Sequence, residues 1–226
     1  KKVKRFLNIL LITSLLIPTS FYLKKIKKEY TRVQTINSIV NNNKIAYLTF
    51  DDGPSKNTDK ILEILDRYNI KATFFVGGCW ADDNVEMLIR ILKSGHEIAN
   101  HGYFHLDHKT LNYEKNRQEI YLTGVIVKAL CGAQTNLFAP PSGSYSDTTL
   151  KVADELGYKV IMWSKDTIDW RDKDQNKVYS RATNGVTNGD LILMHPKEHT
   201  LKALPSILAY YKSIGLDAVS VSDNLT

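Results

Sequence analysis

Residues 45–54 read IAYLTFDDGP, and this stretch indicates the fold of the whole body of the chain. Six uncharged residues, Ile45–Phe50, are followed at once by two carboxylates and a Gly-Pro turn signal. The pattern predicts a buried strand with Asp51 and Asp52 in the turn at its end. Successive side chains at a strand end point in different directions, so one carboxylate can bind a metal while the other faces a substrate. By itself, an Asp-Gly pair is also typical of an ordinary solvated turn.

From that strand to the C-terminus, short apolar runs alternate with stretches of helical periodicity. Further strands are predicted at 72–76, 96–99, 137–139, 159–163, 191–194 and 218–221. Helices are predicted at 58–68, 85–93, 113–130, 148–156 and 201–212. Seven strands that alternate with helices indicate parallel pairing, in a doubly wound sheet or a barrel. In a (β/α) barrel the chemistry lies where strands end and loops begin, so the residues after each strand are candidates for function.

A cluster of histidines follows the third predicted strand. Four of the six histidines lie between positions 96 and 108, among them His101 and His105. The His-x3-His spacing presents two imidazoles on one face of a helical segment, and zinc takes histidine nitrogens at about 2.0–2.1 Å. His108 is also near, so the spacing leaves open which pair would bind. The clustering indicates a metal site, although histidines also fall four residues apart by chance.

Two further polar residues follow the fifth and sixth predicted strands: Asp169 in the segment DTIDW and His195 in the segment LMH. A carboxylate beside an imidazole orients the ring and raises its pKa, which is the arrangement of an acid–base pair. Each residue has a purely structural alternative, and Trp163 and Trp170 are compatible with a place in the core. The occurrence of such residues after successive strands favours a catalytic site.

The five segments TFDDGP, HGYFH, FAPPSG, DTIDW and LMH follow the motif order of a known family, and the chain resembles the polysaccharide deacetylases, the NodB-homology family (carbohydrate esterase family 4). The resemblance extends over residues 44–226. It implies an α/β fold, a distorted (β/α)7 barrel, which agrees with the seven predicted strands. It also implies hydrolysis of N-acetyl groups from a polysaccharide or oligosaccharide, with peptidoglycan N-acetylglucosamine as the expected substrate. The implied cofactor is zinc, or another divalent transition metal such as cobalt.

The resemblance assigns a role to each matching residue. Asp51 matches the catalytic base, His195 the catalytic acid, and Asp169 the residue that positions this acid. The implied metal ligands are Asp52, His101 and His105. The implied substrate-binding residues, which form the groove and the pocket for the acetyl methyl group, are Pro140, Pro141, Ser142, Trp170 and Leu193. His108 matches no motif and is expected at the surface.

One position departs from the family pattern. The third motif usually begins with an arginine that pairs with the catalytic base, whereas this sequence has Ala139. Removing a cation beside Asp51 raises the pKa of its carboxyl, so we expect Lys165 or Arg171 to supply the missing charge. One alternative is a metal-containing glycan-binding protein of the same fold that has lost catalysis. Another is a related non-peptide amide hydrolase that acts on a small amide.

The positive charge of the chain is confined to its N-terminal part. The formal net charge is +6, and residues 1–28 contain eight lysines and arginines and no acid, so the remainder carries a net charge of −2. A body without excess positive charge excludes a nucleic-acid-binding footprint.

The uncharged residues 6–23, with basic residues on both sides, are typical of a membrane-spanning segment at the lower limit of length. We expect residues 1–23 to be an uncleaved signal anchor and residues 24–43 a polar stalk. Residues 44–226 are then the deacetylase domain on the extracytoplasmic, cell-wall side. The alternative is a removed signal peptide. It is disfavoured because the first alanine is Ala46, so an Ala-x-Ala cleavage site is absent.

Overall fold

Parallel strands alternate with helices, as the sequence predicts. The computed structural model describes residues 34–53 and 55–225, and the compact unit within them begins at Thr35. The strands are β1 (Ile45–Phe50), β2 (Thr73–Val76), β3 (Glu97–Asn100), β4 (Leu137–Phe138), β5 (Lys159–Val160), β6 (Lys165–Asp166), β7 (Leu191–Met194) and β8 (Asp217–Val219). The helices are α1 (Thr58–Arg67), α2 (Gly78–Asp83), α3 (Val85–Lys93), α4 (Tyr113–Cys131), α5 (Asp147–Glu155), α6 (Gln175–Thr183) and α7 (Glu198–Ser213).

The strands form one sheet in the order β5-β4-β3-β2-β1-β7-β6, and β8 pairs with the first half of β1. Every pairing between these strands is parallel. Parallel sheets are covered on both faces, which explains why all six residues of β1 are buried. The predicted parallel α/β class is therefore confirmed.

Side chains of β1 alternate between the two faces of the sheet. Ala46, Leu48 and Phe50 pack into a large apolar cluster with the helices, whereas Tyr47 packs into a second cluster on the opposite face. The backbone N–H of the next residue still bonds to β7, so the alternation continues beyond the strand end. Asp51 consequently lies on the same face as Tyr47, and it is 4% exposed.

The sheet does not close into a complete ring of paired strands. Among the described strands, β5 and β6 are not paired with each other. The segment before β1 joins the two sides of this opening through two isolated bridges, Ile36 with Ile161 and Ser38 with Asp190. The predicted barrel is thus an open parallel sheet with its gap spanned by an N-terminal segment.

The compact unit includes residues 35–43, which the sequence predicts as the end of a polar stalk. The side chain of Ile39, 8% exposed, belongs to the second apolar cluster. The predicted signal anchor, residues 1–23, lies outside the described residues. Within residues 34–53 and 55–225, no helix has the length and apolarity that a bilayer crossing requires.

Three elements are absent from the sequence prediction: β6, α2 and α6. The two residues of β6 are polar and half-buried, so no apolar run marks them. Helix α6 reads QNKVYSRAT, in which few apolar residues mark a buried face. The described residues therefore form eight strands where the sequence predicts seven, and the strand predicted at 159–163 is limited to Lys159–Val160.

Candidate active site

The carboxyl ends of neighbouring parallel strands bring the predicted site residues to one edge of the sheet. The N–H of Asp51 donates to the carbonyl of Met194 at the end of β7, at 3.0 Å. The N–H of His101 donates to the carbonyl of Val76 at the end of β2, also at 3.0 Å. Asp51, His101 and His195 therefore each follow directly on a strand of the same edge.

Three predicted metal ligands converge at this edge. Oδ1 of Asp52 lies 2.9 Å from Nε2 of His105 and 3.6 Å from Nε2 of His101. In the described part of the chain, these three residues form the one group of at least three His, Cys, Asp or Glu side chains whose donor atoms all lie within 4.8 Å of one another. One carboxylate oxygen and two imidazole nitrogens are a donor set of zinc, and three protein ligands leave a coordination position open.

The convergence depends on unusual backbone conformations. Asp52 has a φ of 67° and His105 a φ of 56°, both in the left-handed region that residues with a side chain seldom adopt. The turn at Asp52 breaks the alternation of β1 and separates its side chain from the buried one of Asp51. Such conformations persist where surrounding contacts enforce them, and they are frequent at functional sites.

The orientation of the His101 ring suits a metal ligand. Its Nδ1 lies 2.8 Å from the backbone carbonyl oxygen of Ala139, which can only accept a hydrogen bond. Nδ1 therefore donates a hydrogen bond to this carbonyl, and Nε2 is the ring nitrogen that faces Asp52. The donor set of the cluster and the orientation of this buried ring both fit a divalent metal ion.

The pKa values of the adjacent carboxyls of Asp51 and Asp52 are shifted in opposite directions. Burial raises the pKa of Asp51, and attraction by His101 and His195 only partly offsets this effect. Partial burial also acts to raise the pKa of Asp52. Hydrogen bonds from His101 and His105 outweigh that effect and hold the pKa of Asp52 well below its usual range. Asp52 is therefore ionised, as a ligand must be, and Asp51 is the more basic carboxylate.

A carboxylate–imidazole pair lies beside the cluster. Nδ1 of His195 is 2.6 Å from Oδ1 of Asp169, and Oδ2 of the same carboxylate accepts the N–H of His195 at 2.7 Å. Oδ2 also accepts the hydroxyl of Thr200 at 2.5 Å. Burial acts to lower the pKa of His195, but the hydrogen bond and the charge of Asp169 raise it above the ordinary value. Nε2 of His195 faces Oδ2 of Asp52 at 3.6 Å.

Thr200 is a residue that sequence reasoning missed. It is fully buried in the first turn of α7, shortly after the LMH segment. One sequence feature indicates it: Thr200 lies near the start of the helix that follows β7 and His195.

The predicted substrate-binding residues differ in exposure. Trp170 is 55% exposed, and Ser142 is exposed in a left-handed conformation (φ 55°) within a 3-10 turn. Pro140, Pro141 and Leu193 are buried. Their roles in binding a substrate stay predictions.

The expected replacement for the missing arginine is not found. Nζ of Lys165 donates to the carbonyl of Asn184 at 2.8 Å, and Arg171 pairs with Asp172 at 3.0 Å. Within the described residues, neither cation forms an ion pair with Asp51. The expectation that Lys165 or Arg171 serves this carboxylate is therefore wrong, because both side chains are directed to other partners.

The expectation that His108 lies at the surface is also wrong. The ring is fully buried, and its Nδ1 lies 2.8 Å from Oδ1 of Asn116. Burial lowers the pKa of His108 to about 4. The donor atoms that converge belong to His101 and His105, which answers the question that spacing left open.

A cleft of about 400 Å³ opens beside the predicted ligands. Besides Asp52, His101 and His105, its lining residues are Gly77, Cys79, Trp80, Tyr103 and Phe104. The sequence prediction overlooks Gly77, Cys79 and Trp80 because it does not predict α2. They follow the end of β2, so the rule that loops after strands form the site applies to them as well.

Comparison with known proteins agrees with the geometry. Residues 39–161 match the family described as polysaccharide deacetylase. The chain belongs to the polysaccharide deacetylase family, as its five motifs predict.

Two relatives and one solved structure place the chain within this family. It is 34% identical over 194 residues to a peptidoglycan-N-acetylglucosamine deacetylase of Bacillus cereus, a match that covers 83% of this chain and 91% of that protein. It is 34% identical over 165 residues to the YlxY protein of Bacillus subtilis, covering 73% of this chain and 52% of the relative. The chain thus spans about half the length of the latter. The crystal structure of a family 4 pseudoenzyme from Bacillus anthracis superposes with a TM-score of 0.79 at 32% identity, covering 82% of this chain and 66% of that one.

Proposed function

We propose that this chain removes N-acetyl groups from peptidoglycan N-acetylglucosamine, or from a related N-acetylated polysaccharide or oligosaccharide. One observation carries the proposal. Three convergent metal-ligand side chains, a buried carboxylate and a carboxylate–imidazole pair meet at one edge of the sheet. The name of the Bacillus cereus relative supports the substrate class.

Asp52, His101 and His105 are the residues that would hold the metal ion, and their donor set suits zinc or another divalent transition metal such as cobalt. Such an ion, when bound, supplies Lewis-acid polarisation of an amide carbonyl and lowers the pKa of water. The adjoining cleft of about 400 Å³ offers space for an acetamido group next to these ligands.

Asp51 is the general base in this proposal. Its carboxylate is 4% exposed, and burial raises its pKa, which makes it a stronger proton acceptor than an exposed aspartate. Among the described residues, Oδ1 of Asp51 is buried without a hydrogen-bond partner, so an unpaired proton acceptor lies next to the predicted ligands.

His195 is the general acid. Because Asp169 binds Nδ1, the proton that His195 transfers is the one on Nε2, which faces the predicted ligands. Protonation of the leaving nitrogen is necessary, since amide cleavage would otherwise expel a strongly basic anion. The products are acetate and a free amine on the sugar.

Incubation of the 226-residue chain with zinc and peptidoglycan, or with N-acetylglucosamine oligomers, tests the proposal by mass spectrometry. We expect the glycan to lose acetyl groups, and we expect Asp51→Asn and His195→Ala to lower this activity by about 10²–10⁴-fold. Glycans that stay fully acetylated with the wild-type chain, in both substrate forms, would contradict it.

A second candidate function is glycan binding without turnover. Ala139 favours it, because this chain lacks the cation that the family usually places beside the base. A structural neighbour is itself described as a pseudoenzyme. Under this alternative, the chain binds zinc and glycan oligomers but releases no acetate with any glycan, which separates it from the enzyme.

We also propose that residues 1–23 anchor the chain in a membrane, with the deacetylase domain on the cell-wall side. The uncharged residues 6–23 between basic clusters support this location, and a tether suits an insoluble wall polymer. We expect the intact chain in the membrane fraction. Recovery of a soluble extracellular form that begins after residue 23 would instead indicate a cleaved signal peptide.

A further inference from the structure

The loop that carries both predicted histidine ligands, residues 101–105, is neither helix nor strand. Gly102 and His105 have φ values of 75° and 56°, so no regular hydrogen-bond ladder fixes its shape. Two imidazole nitrogens that must meet a metal within a few tenths of an ångström require this backbone to be held from outside.

One side of the loop is held by the start of α2. The N–H of Gly78 donates to the carbonyl of Gly102 at 2.9 Å, and the N–H of Cys79 donates to the carbonyl of Tyr103 at 3.0 Å. These bonds satisfy carbonyl oxygens of the loop and leave its N–H groups to be satisfied elsewhere.

The other side is held by one carboxylate. Oε2 of Glu119, in the middle of α4, accepts the N–H of Tyr103 at 2.9 Å and the N–H of Phe104 at 2.8 Å. Glu119 is 4% exposed, and one of its oxygens accepts both N–H groups.

The approach of Glu119 to the loop is close. A Cβ atom added to Gly102 would lie 3.3 Å from Oε2 of Glu119 and 3.1 Å from Nε2 of His108. Glycine at this position therefore lets the loop lie against the carboxylate, and it also permits the left-handed φ.

We propose that Glu119 is a positioning residue that sets the metal affinity of the site by fixing the backbone between His101 and His105. It is neither one of the predicted metal ligands nor one of the residues that line the cleft. With its acceptor removed, the backbone N–H groups of Tyr103 and Phe104 would lose their partner, and the loop would relax away from the geometry that brings Nε2 of His105 to Asp52.

The test compares two substitutions of similar length in the full chain, Glu119→Gln and Glu119→Met. Glutamine keeps a carbonyl oxygen that can accept both N–H groups, whereas methionine fills the volume without an acceptor. Glu114→Ala, an exposed acid in the first turn of the same helix, is the matched control. Zinc affinity is measured by competition with a chelator, and ligand geometry by the absorption spectrum of the cobalt-loaded protein.

We expect Glu119→Met to weaken zinc binding about 10- to 100-fold and to change the cobalt spectrum. Glu119→Gln and Glu114→Ala should bind zinc within about threefold of the wild type. Equal zinc affinity for wild type and Glu119→Met would overturn the inference, as would a loss in Glu119→Gln as large as that in Glu119→Met. Loss of the metal-free fold in Glu119→Met, seen by circular dichroism, would make the role structural and overturn it too.

The inference rests on the ligands named under the proposed function but not on the reaction. A wild-type chain that binds no zinc would therefore contradict the ligand assignment, and the inference with it. Normal zinc binding without acetate release would contradict the reaction alone.

Discussion

Asp169 and His195 are joined twice: the carboxylate binds the ring Nδ1 at 2.6 Å through one oxygen and the backbone N–H at 2.7 Å through the other. The imidazole is thereby fixed in both orientation and tautomer, with Nε2 facing the predicted metal ligands. The same carboxylate accepts the hydroxyl of Thr200, so three donors hold a side chain that is 1% exposed.

Removal of the Thr200 hydroxyl should impair His195 as the general acid, because Thr200 holds the carboxylate of Asp169. Thr200→Val leaves a buried carboxylate without one donor, and a hydrogen bond to a charged group contributes about 1.5–3 kcal/mol. We expect kcat to fall about 10- to 100-fold with little change in KM, and Thr200→Ser to restore most of it.

Thr183→Val is the matched control, since Thr183 is a buried threonine whose hydroxyl binds a backbone carbonyl of α6. It should keep the wild-type kcat. Equal kcat values for Thr200→Val and Thr183→Val would argue against a positioning role for Thr200.

The ligand assignment predicts selective loss of metal. His105 is partly exposed, so His105→Ala should fold and lose the bound ion, because a two-ligand site binds zinc weakly. Asp51→Asn should keep the metal, since this carboxylate is assigned as base. Elemental analysis of the purified variants is the measurement. Metal lost from Asp51→Asn but retained in His105→Ala would reverse the assignment.

Ala139→Arg should raise deacetylation. The position is 4% exposed, its carbonyl binds Nδ1 of His101, and that nitrogen lies 3.9 Å from Oδ2 of Asp51. A cation within about 4–6 Å keeps the carboxylate ionised and fixes its direction. Ala139→Leu adds bulk without charge and should not raise the rate. Equal acetate release by the two variants would indicate that Asp51 does not lack a cation.

His96 should make the fold less stable in mild acid. It is 4% exposed, its Nδ1 accepts the N–H of Ala72 at 3.1 Å, and its Nε2 has no partner among the described residues. Burial and the charge of Lys71 lower its pKa to about 4, against about 6.5 in the unfolded chain. The unfolded chain therefore binds more protons between these values, and the free energy of unfolding falls as pH drops from about 6.5 toward 4, by up to about 3 kcal/mol.

Urea unfolding of the wild type and His96→Asn at several pH values between 7 and 4 checks this. The stability advantage of the wild type should shrink as the pH falls. A difference that stays constant over the range would show that His96 does not titrate there.

The parallel α/β class and the location of the site at one edge of the sheet could be predicted from β1 and the residues after it. An apolar run indicates a buried strand, and sites in such folds lie where strands end. All six residues of β1 are buried. The alternation of side chains between the two faces of the sheet continues to Asp51, which is buried as well. The motifs predict ligands at this edge because Asp52 and His101 lie within two residues of a strand end.

Other features depend on contacts that the local sequence does not reveal. The buried ring of His108 is hydrogen-bonded to Asn116 from another element, and the side chains of Lys165 and Arg171 contact Asn184 and Asp172. The two polar residues of β6 form a strand only because β7 supplies the partner backbone. Tertiary pairing overrides local pattern in each case.

The most direct test of the account is acetate release from peptidoglycan by the full chain, measured after metal removal and again after addition of zinc. We predict no release by the metal-free protein, release with zinc, and loss of release in Asp51→Asn, which should still bind the metal. No acetate from the wild type or from Ala139→Arg, on wall polymer and oligomers and with zinc or cobalt supplied, would contradict the account.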